Sequence, residues 1–280
     1  MSYIAESAVI SANVKISPYC VIGEEVVLEE GVILGVGCVI GAGVCIEARS
    51  KLGNYITLGV GVKLGEEVQI GDHTTLCQQV TLGKGCNVGS SSTLGRLPRP
   101  ASTSTVKVQD DLAPLIMGSE GIVGCSAVLY AGTTYGDQVF VGDRAVVRER
   151  CIIGHNTVIG SGVAVENDTR IGPFTKIQTG AYITAYTEIE DHVFIAPMVT
   201  TTNDNFMGRT EKRFKLVKGA KIGRGARIGG ASILLPGIKV APETFVAAGA
   251  LVTKDTVERK VVMGFPAKEL REVPEEELLK

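Results

Sequence analysis

The chain is predicted to fold as an all-β solenoid, a parallel β-helix wound from six-residue repeats. Three observations carry this. A large aliphatic recurs at every sixth position from Ile4, through Ile10, Ile16, Ile22, Leu28, Leu34, Ile40 and Ile46, without a miss to Leu94. Two residues before many of them stands a small or β-branched side chain: Val14, Cys20, Val26, Val32, Cys38 and Val44. Glycine follows many of the aliphatics, as in Ile22-Gly23, Ile40-Gly41, Ile70-Gly71 and Ile153-Gly154. A period of six matches neither a helix nor a set of independent hairpins; it is the signature of a hexapeptide β-helix.

The beat comes in three runs. The first is Ile4 to Leu94; the second runs from Val123 through Leu129, Tyr135, Val141, Val147 and Ile153 to Ile195; the third runs from Ile222 to Val252. Each hexad supplies a short strand and a corner, and three hexads close one triangular coil. The aliphatic and the small residue two places before it both point inward, because side chains alternate along a strand. Glycine after the aliphatic is expected to permit the sharp turn at the corner. Coils stack at roughly 4.8 Å, so residues eighteen apart are vertical neighbours. The repeat predicts one extended domain over 1–260, of about eleven to twelve coils. It carries insertions near 95–121 and 201–216 and leaves a C-terminal tail over 261–280, whose last residues, 274–280, suggest a short capping helix or a frayed end.

Composition agrees. Hydrophobic residues make up 45% and aromatics 5%, with no Trp, which suits a thin core of Ile, Leu, Val and Ala. A net charge of −2 gives no electrostatic reason to expect nucleic acid or an acidic membrane as partner. No apolar run approaches a membrane span, and no basic stretch precedes an apolar one at the start, so a cytoplasmic protein is expected. Of seven cysteines, Cys20, Cys38, Cys86 and Cys151 fall on the inward small position. Cys45, Cys77 and Cys125 lack the close spacing of a zinc site, and no metal is expected.

The interruptions point to function. The first contains Arg96 and Arg99 beside Ser102, Thr103, Ser104 and Thr105, residue types that hold a diphosphate; clasping a neighbouring subunit is the competing role. The second starts at Asn203-Asp204-Asn205. Steps of eighteen from Glu149 give Asn167, Ala185 and Asn203, and the adjacent column is Arg150, Asp168, Tyr186 and Asp204. One corner therefore stacks polar groups where a loop leaves the coil, with Ala185 leaving room between them. A single Asn or Asp at a corner is ordinary turn chemistry; a column coinciding with an insertion is harder to explain that way.

Acyl transfer to an amine or hydroxyl requires loss of a proton, and histidine is the commonest base. Of His73, His155 and His192, His155 is the first candidate, one coil from Asp137. An amine that binds neutral needs no such base and is oriented by the column instead. Small residues at Gly229-Gly230-Ala231-Ser232 and Ala247-Ala248-Gly249-Ala250 leave a groove for a long ligand, with Lys254, Arg259, Lys260 and Lys268 near its exit. A solvated basic end cap is the plainer reading of those cations.

The hexads, closing on Val261-Val262-Met263-Gly264-Phe265-Pro266-Ala267-Lys268, resemble the left-handed β-helix acyltransferases. The stretches Gln178-Thr179-Gly180-Ala181-Tyr182-Ile183 and Thr202-Asn203-Asp204-Asn205-Phe206 are similar to those of the dTDP-3-amino-3,6-dideoxyhexose N-acetyltransferase group. That resemblance implies a left-handed coil, a homotrimer with sites between neighbours, and acetyl-CoA as co-substrate. The acceptor would be a nucleotide-linked amino sugar, dTDP or UDP. On the column and the insertions, Asn167, Glu149, Asp168 and His155 are expected to be catalytic, and Arg96, Arg99, Ala185, Tyr186, Asn203, Asp204 and Asn205 substrate-binding. Gly230, Ala231, Ala247, Ala248, Lys254, Pro266 and Lys268 would hold the cofactor. The rival readings are an O-acetyltransferase of the serine, maltose or xenobiotic type, a γ-class carbonic anhydrase and a purely structural solenoid.

Overall fold

In a computed structural model, which describes residues 1–102 and 111–279, the chain is a β-helix of short parallel strands. It divides into two compact units, Met1–Ala145 and Val146–Lys280.

In the first unit the strands fall into three ladders. One holds Tyr3–Ile4, Val21–Ile22, Val39–Ile40, Thr57–Leu58, Thr75–Leu76, Thr93–Arg96 and Val128–Tyr130. Its register is the eighteen-residue step: Ile22 lies beside Ile40, and Leu58 beside Leu76. The other two ladders start at Val9–Ile10 and Lys15–Ile16. Inward aliphatics such as Ile22, Leu28, Leu34 and Ile46 are fully buried, and each contributes about 1.5–3 kcal/mol.

The second unit repeats the plan. Its first ladder runs Val146–Val147, Ala164–Val165, Tyr182–Ile183, Thr200–Thr201, Ile233–Leu234 and Leu251–Val252. The tail opens as a strand: Lys260–Gly264 pairs in parallel with Phe245–Val246, burying Val261 and Val262. Ala267–Glu272 then folds back antiparallel, and a 3-10 turn at Glu275–Glu277 follows.

Both insertions are shorter than the sequence suggests. The beat resumes at Ile116–Met117, where Leu115 and Met117 fill the two inward positions. A Leu where a small residue is expected, and a Met for an aliphatic, hid that hexad. Similarly Thr201 occupies an inward position, fully buried, its hydroxyl accepting from the Thr184 amide at 2.8 Å. Together with the strand at Lys260, these hexads bring the coils to seven in the first unit and about six in the second, above the expected count.

Glycine after the aliphatic has a different reason from the one expected. The left-handed backbone falls two residues later, on Glu25 (φ 56°), His73 (φ 58°) and Asn156 (φ 55°). What the glycine provides is clearance: a Cβ on Gly41 would lie 2.8 Å from the Val60 nitrogen, and one on Gly71 2.7 Å from the Ser90 nitrogen. The inward small position also has a polar task. Ser50, Thr74 and Thr157 donate to the carbonyls of Gly65, Gly89 and Gly172 at 3.0–3.1 Å, satisfying buried acceptors. Cys20, Cys38, Cys86 and Cys151 sit there too, fully buried, each Sγ 3.0–3.2 Å from a carbonyl of the next coil. Burial pushes the Cys38 thiol up to about 11, and raises Cys86 as well.

Candidate functional site

In the second unit, the corner that follows the first ladder carries three stacked triplets: Arg148-Glu149-Arg150, Glu166-Asn167-Asp168 and Thr184-Ala185-Tyr186. Backbone bonds join them directly. The Asp168 amide donates to the Glu149 carbonyl at 3.1 Å, and the Tyr186 amide to the Asn167 carbonyl at 3.2 Å. Arg150, Asp168 and Tyr186 hold the left-handed backbone, at φ 58°, 58° and 66°. Corners throughout the chain do the same, so this conformation does not mark the site.

The side chains do mark it. Glu149 is 1% exposed and Asn167 8%. Arg148 grips Glu149 with two bonds, Nε to Oε2 at 2.8 Å and Nη2 to Oε1 at 3.1 Å, and its Nη1 lies 3.6 Å from Glu166. Arg150 forks Asp168 at 2.7 Å on both oxygens, while the Asn167 amide donates to the same carboxylate at 2.6 Å. Burial alone would raise the Asp168 pKa; the bonds from Arg150 and Asn167 outweigh it and hold the carboxyl below its usual range. Glu166 goes the other way: burial lifts it, the nearby Glu149 adds to the rise, and Arg148 offsets only part. The Tyr182 phenol is also raised, by burial first and then by Glu166.

The second insertion begins at this corner. Asn203 donates to the Ala185 carbonyl at 3.4 Å, extending the column as the spacing requires, and its own carbonyl accepts from Lys218 at 3.0 Å. Asp204 closes the loop on itself, accepting from the amides of Phe206 and Gly208 and from Arg213 of the short helix Arg213–Leu216. Asp204 is therefore a loop anchor, and its pKa is lowered by those amides first. Asn205 is exposed in the turn that follows.

Lower in the same unit, Lys254, Pro266 and Lys268 line one cavity of about 420 Å³ with Val252, Thr256 and Val262. Lys260 is not free to join them, being paired with Glu272, and Arg259 pairs with Glu258. Gly230-Ala231 and Ala248-Gly249 stack as successive corners, the Gly249 amide donating to the Gly230 carbonyl at 2.8 Å. The amide of Ala247 donates to Val262, so this small-residue corner rests on the strand that helps line the cavity.

In the first unit, Arg96 and Arg99 line a cavity of about 600 Å³ with Gly59, Val60, Cys77 and Gln78. The Arg96 guanidinium lies 5.5 Å from the centre of the Tyr130 ring. Ser102 is exposed; Thr103, Ser104 and Thr105 lie outside the described residues.

Within the chain the histidines stand apart from the triplets. The Nδ1 of His155 pairs with Asn156 at 3.0 Å, and its ring meets Phe174 edge-on, at the corner after the second ladder. Asp137 accepts from the Ser119 amide at 2.7 Å. His192 stacks on the same Phe174 and pairs with Asp191. No histidine stands among the three triplets. Among the described residues no three His, Cys, Asp or Glu side chains gather as a metal site, and no helix is long and apolar enough to cross a membrane. What sequence reasoning missed is the column beside the one it counted: Arg148, Glu166, Thr184, Thr202. The same eighteen-residue step, started one residue earlier, finds it.

Residues 132–167 match the family model "Bacterial transferase hexapeptide (six repeats)", and residues 19–48 match "Hexapeptide repeat of succinyl-transferase". The Saccharomyces cerevisiae protein YJL218W, whose name gives it a provisional acetyltransferase activity, is 32% identical over 92 residues, 32% of this chain and 47% of that protein. The chain thus spans about half the length of this curated relative. PerB of Caulobacter crescentus, solved with CoA and GDP-perosamine, is 23% identical over 45% of this chain and 54% of its own, with a TM-score of 0.39. An Arabidopsis UDP-N-acetylglucosamine acyltransferase is 16% identical over 96% of this chain and 74% of its own, with a TM-score of 0.44. The repeats build the parallel ladders of a hexapeptide β-helix, and two stretches of the chain are similar to the hexapeptide-repeat transferase families.

Proposed function

We propose that the chain is an acetyl-CoA-dependent N-acetyltransferase acting on the amino group of a nucleotide-diphosphate-linked amino sugar, with dTDP and UDP the favoured nucleotides. One observation carries the reading: a carboxylate, Glu149, buried at a corner and gripped by Arg148, on the column from which the inserted loop departs three coils on. Burying an ion pair rarely repays its desolvation, so a fold has no reason of stability to place it there. Asn167, its side-chain nitrogen tied to Asp168 and its side-chain oxygen without a hydrogen bond among the described residues, is positioned to accept from the substrate amine. Glu149 and Asp168 hold the two arginines and Asn167 in place. Tyr186 and the Asn203 loop wall the acceptor.

Acetyl-CoA is assigned to the small-residue corner Gly230-Ala231 and Ala247-Ala248. Its phosphates would lie at the cavity of Lys254, Pro266 and Lys268, where exposed ammonium groups meet anions without cost. Arg96 and Arg99 are assigned to a diphosphate. The chain would work as a homotrimer in the cytoplasm, its hexads forming one continuous domain; outward apolar side chains such as Val39 and Phe194, 44% and 40% exposed, favour self-association.

The second reading is an O-acetyltransferase. The absence of histidine from the triplets argues against it, because an alcohol is much harder to deprotonate than an amine. The test is release of CoA thiol with a nucleotide-linked 3-amino sugar and with its 3-hydroxyl counterpart. Release with the amine alone is expected; release with the hydroxyl alone rejects the reading.

A further inference from the structure

The triplets and the Asn203-Asp204-Asn205 segment that opens the loop hold four carboxylates, and three are fully committed. Glu149 has both oxygens on Arg148, Asp168 has both on Arg150 with Asn167 added, and Asp204 holds two amides and Arg213. Glu166 differs. Among the described residues its carboxylate makes no hydrogen bond, only the 3.6 Å ion pair with a guanidinium already spent on Glu149. Its side chain is 26% exposed, so it is enclosed yet reachable. Its backbone is fixed: the amide donates to Ile183 at 2.8 Å, and the carbonyl lies 3.2 Å from Cys151 Sγ.

We propose that Glu166 is the proton acceptor of the reaction, taking the N–H proton of the substrate amine as it attacks the thioester. This rests on the N-acetyltransferase reading above. The step balances without an outside reagent. The nitrogen lone pair forms the N–C bond to the acetyl carbonyl carbon, and the proton moves from nitrogen to Glu166. Collapse of the tetrahedral adduct breaks the C–S bond, and Glu166 passes the proton to the departing CoA thiolate. Amide, thiol and the original carboxylate remain. A carboxyl suits this role only if its pKa is lifted toward working pH, and burial lifts Glu166. The charged and titratable groups facing it are Arg148, Glu149 and Tyr182, of which only Arg148 opposes the rise. The neighbouring Asn167 would orient the nitrogen while Glu166 receives its proton.

The test is the pH dependence of kcat for wild type, Glu166→Gln and Glu166→Asp, with acetyl-CoA and the nucleotide-linked 3-amino sugar. Glu166→Gln should lower kcat by on the order of 10²-fold and lose the acidic limb of the profile. Glu166→Asp should keep that limb at a reduced rate, and the acetyl-CoA KM should stay unchanged in both. A raised carboxyl pKa means stability that is present below the unfolded value and lost as pH rises through the folded one. Ionised Glu166 therefore weakens the fold at neutral pH, and Glu166→Gln should melt at the wild-type temperature or above, which separates lost catalysis from lost fold. Wild-type activity on the amine with an unaltered rate and profile in Glu166→Gln overturns the assignment of Glu166 alone. Wild-type transfer to hydroxyls only overturns the N-acetyltransferase reading and this proposal with it.

Discussion

The two units place opposite chemistry on the same corner. After the first ladder of the first unit the corners read Gly23-Glu24-Glu25, Gly41-Ala42-Gly43, Gly59-Val60-Gly61 and Cys77-Gln78-Gln79. After the first ladder of the second they read Arg148-Glu149-Arg150, Glu166-Asn167-Asp168 and Thr184-Ala185-Tyr186. At the middle position Val60 is 55% exposed, whereas Glu149 is 1% exposed. An apolar group faces water in one unit and a carboxylate is buried in the other, the reverse of what burial energetics favour. The backbone repeat cannot account for the inversion, since it is common to both. The second unit has accepted a cost at this corner, and the binding or catalytic task proposed for it would explain why.

The comparison can be broken most forcefully at its buried charge. Glu149→Ala removes the two bonds that Arg148 makes to a buried carboxylate. It should cost about 2–3 kcal/mol, below the range for fully buried pairs because Arg148 is partly solvated. Chemical denaturation measures it, and an unchanged midpoint would mean that the pair is not held as described. Ala248→Leu fills the small-residue corner and should raise the acetyl-CoA KM about tenfold, roughly 1.4 kcal/mol of lost binding, with the sugar KM unmoved. An unmoved acetyl-CoA KM would put the cofactor elsewhere.

Asp168 sharpens the contrast through pH. Its carboxyl is depressed in the fold, so its contribution is present above the unfolded value and lost as pH falls through the lower folded one. Wild type should thus lose stability on acidification below about pH 4, and Asp168→Asn should lose less over the same window. Equal acid sensitivity would show that the Arg150 fork contributes little. Smallest of all, Val60→Thr in the first unit should shift stability by no more than about 0.5 kcal/mol, as for an exposed position.

These corners also show what a sequence makes legible. The eighteen-residue step found Glu149, Asn167, Ala185 and Asn203 as a column, because a solenoid converts spacing directly into height. It found the fold for the same reason. It missed the hexads of Met117 and Thr201, where the inward residue is chosen by local packing or hydrogen bonding and not by aliphatic character. The glycines were found for the wrong reason, since clearance from the next coil is a property of two coils and spacing within one does not express it. Glu166 was passed over because nothing in its letter separates it from a solvated surface glutamate. Only the prior commitment of its three neighbours sets it apart, and that is visible in side-chain geometry alone. His155 is a candidate by residue type and by its place one coil from Asp137, and within the chain its ring is turned to Phe174 and Asn156.

The central claim is that the polar corner of the second unit, and not the equivalent corner of the first, handles the reacting amine in acyl transfer. The most direct test compares kcat for acetyl transfer in Asn167→Ala and in Glu24→Ala, which alter the same corner position in the two units. Asn167→Ala should lose on the order of 10²-fold, the usual effect of removing one positioning contact, while Glu24→Ala retains the wild-type rate. Equal rates in the two variants, with both proteins folded, would contradict the account.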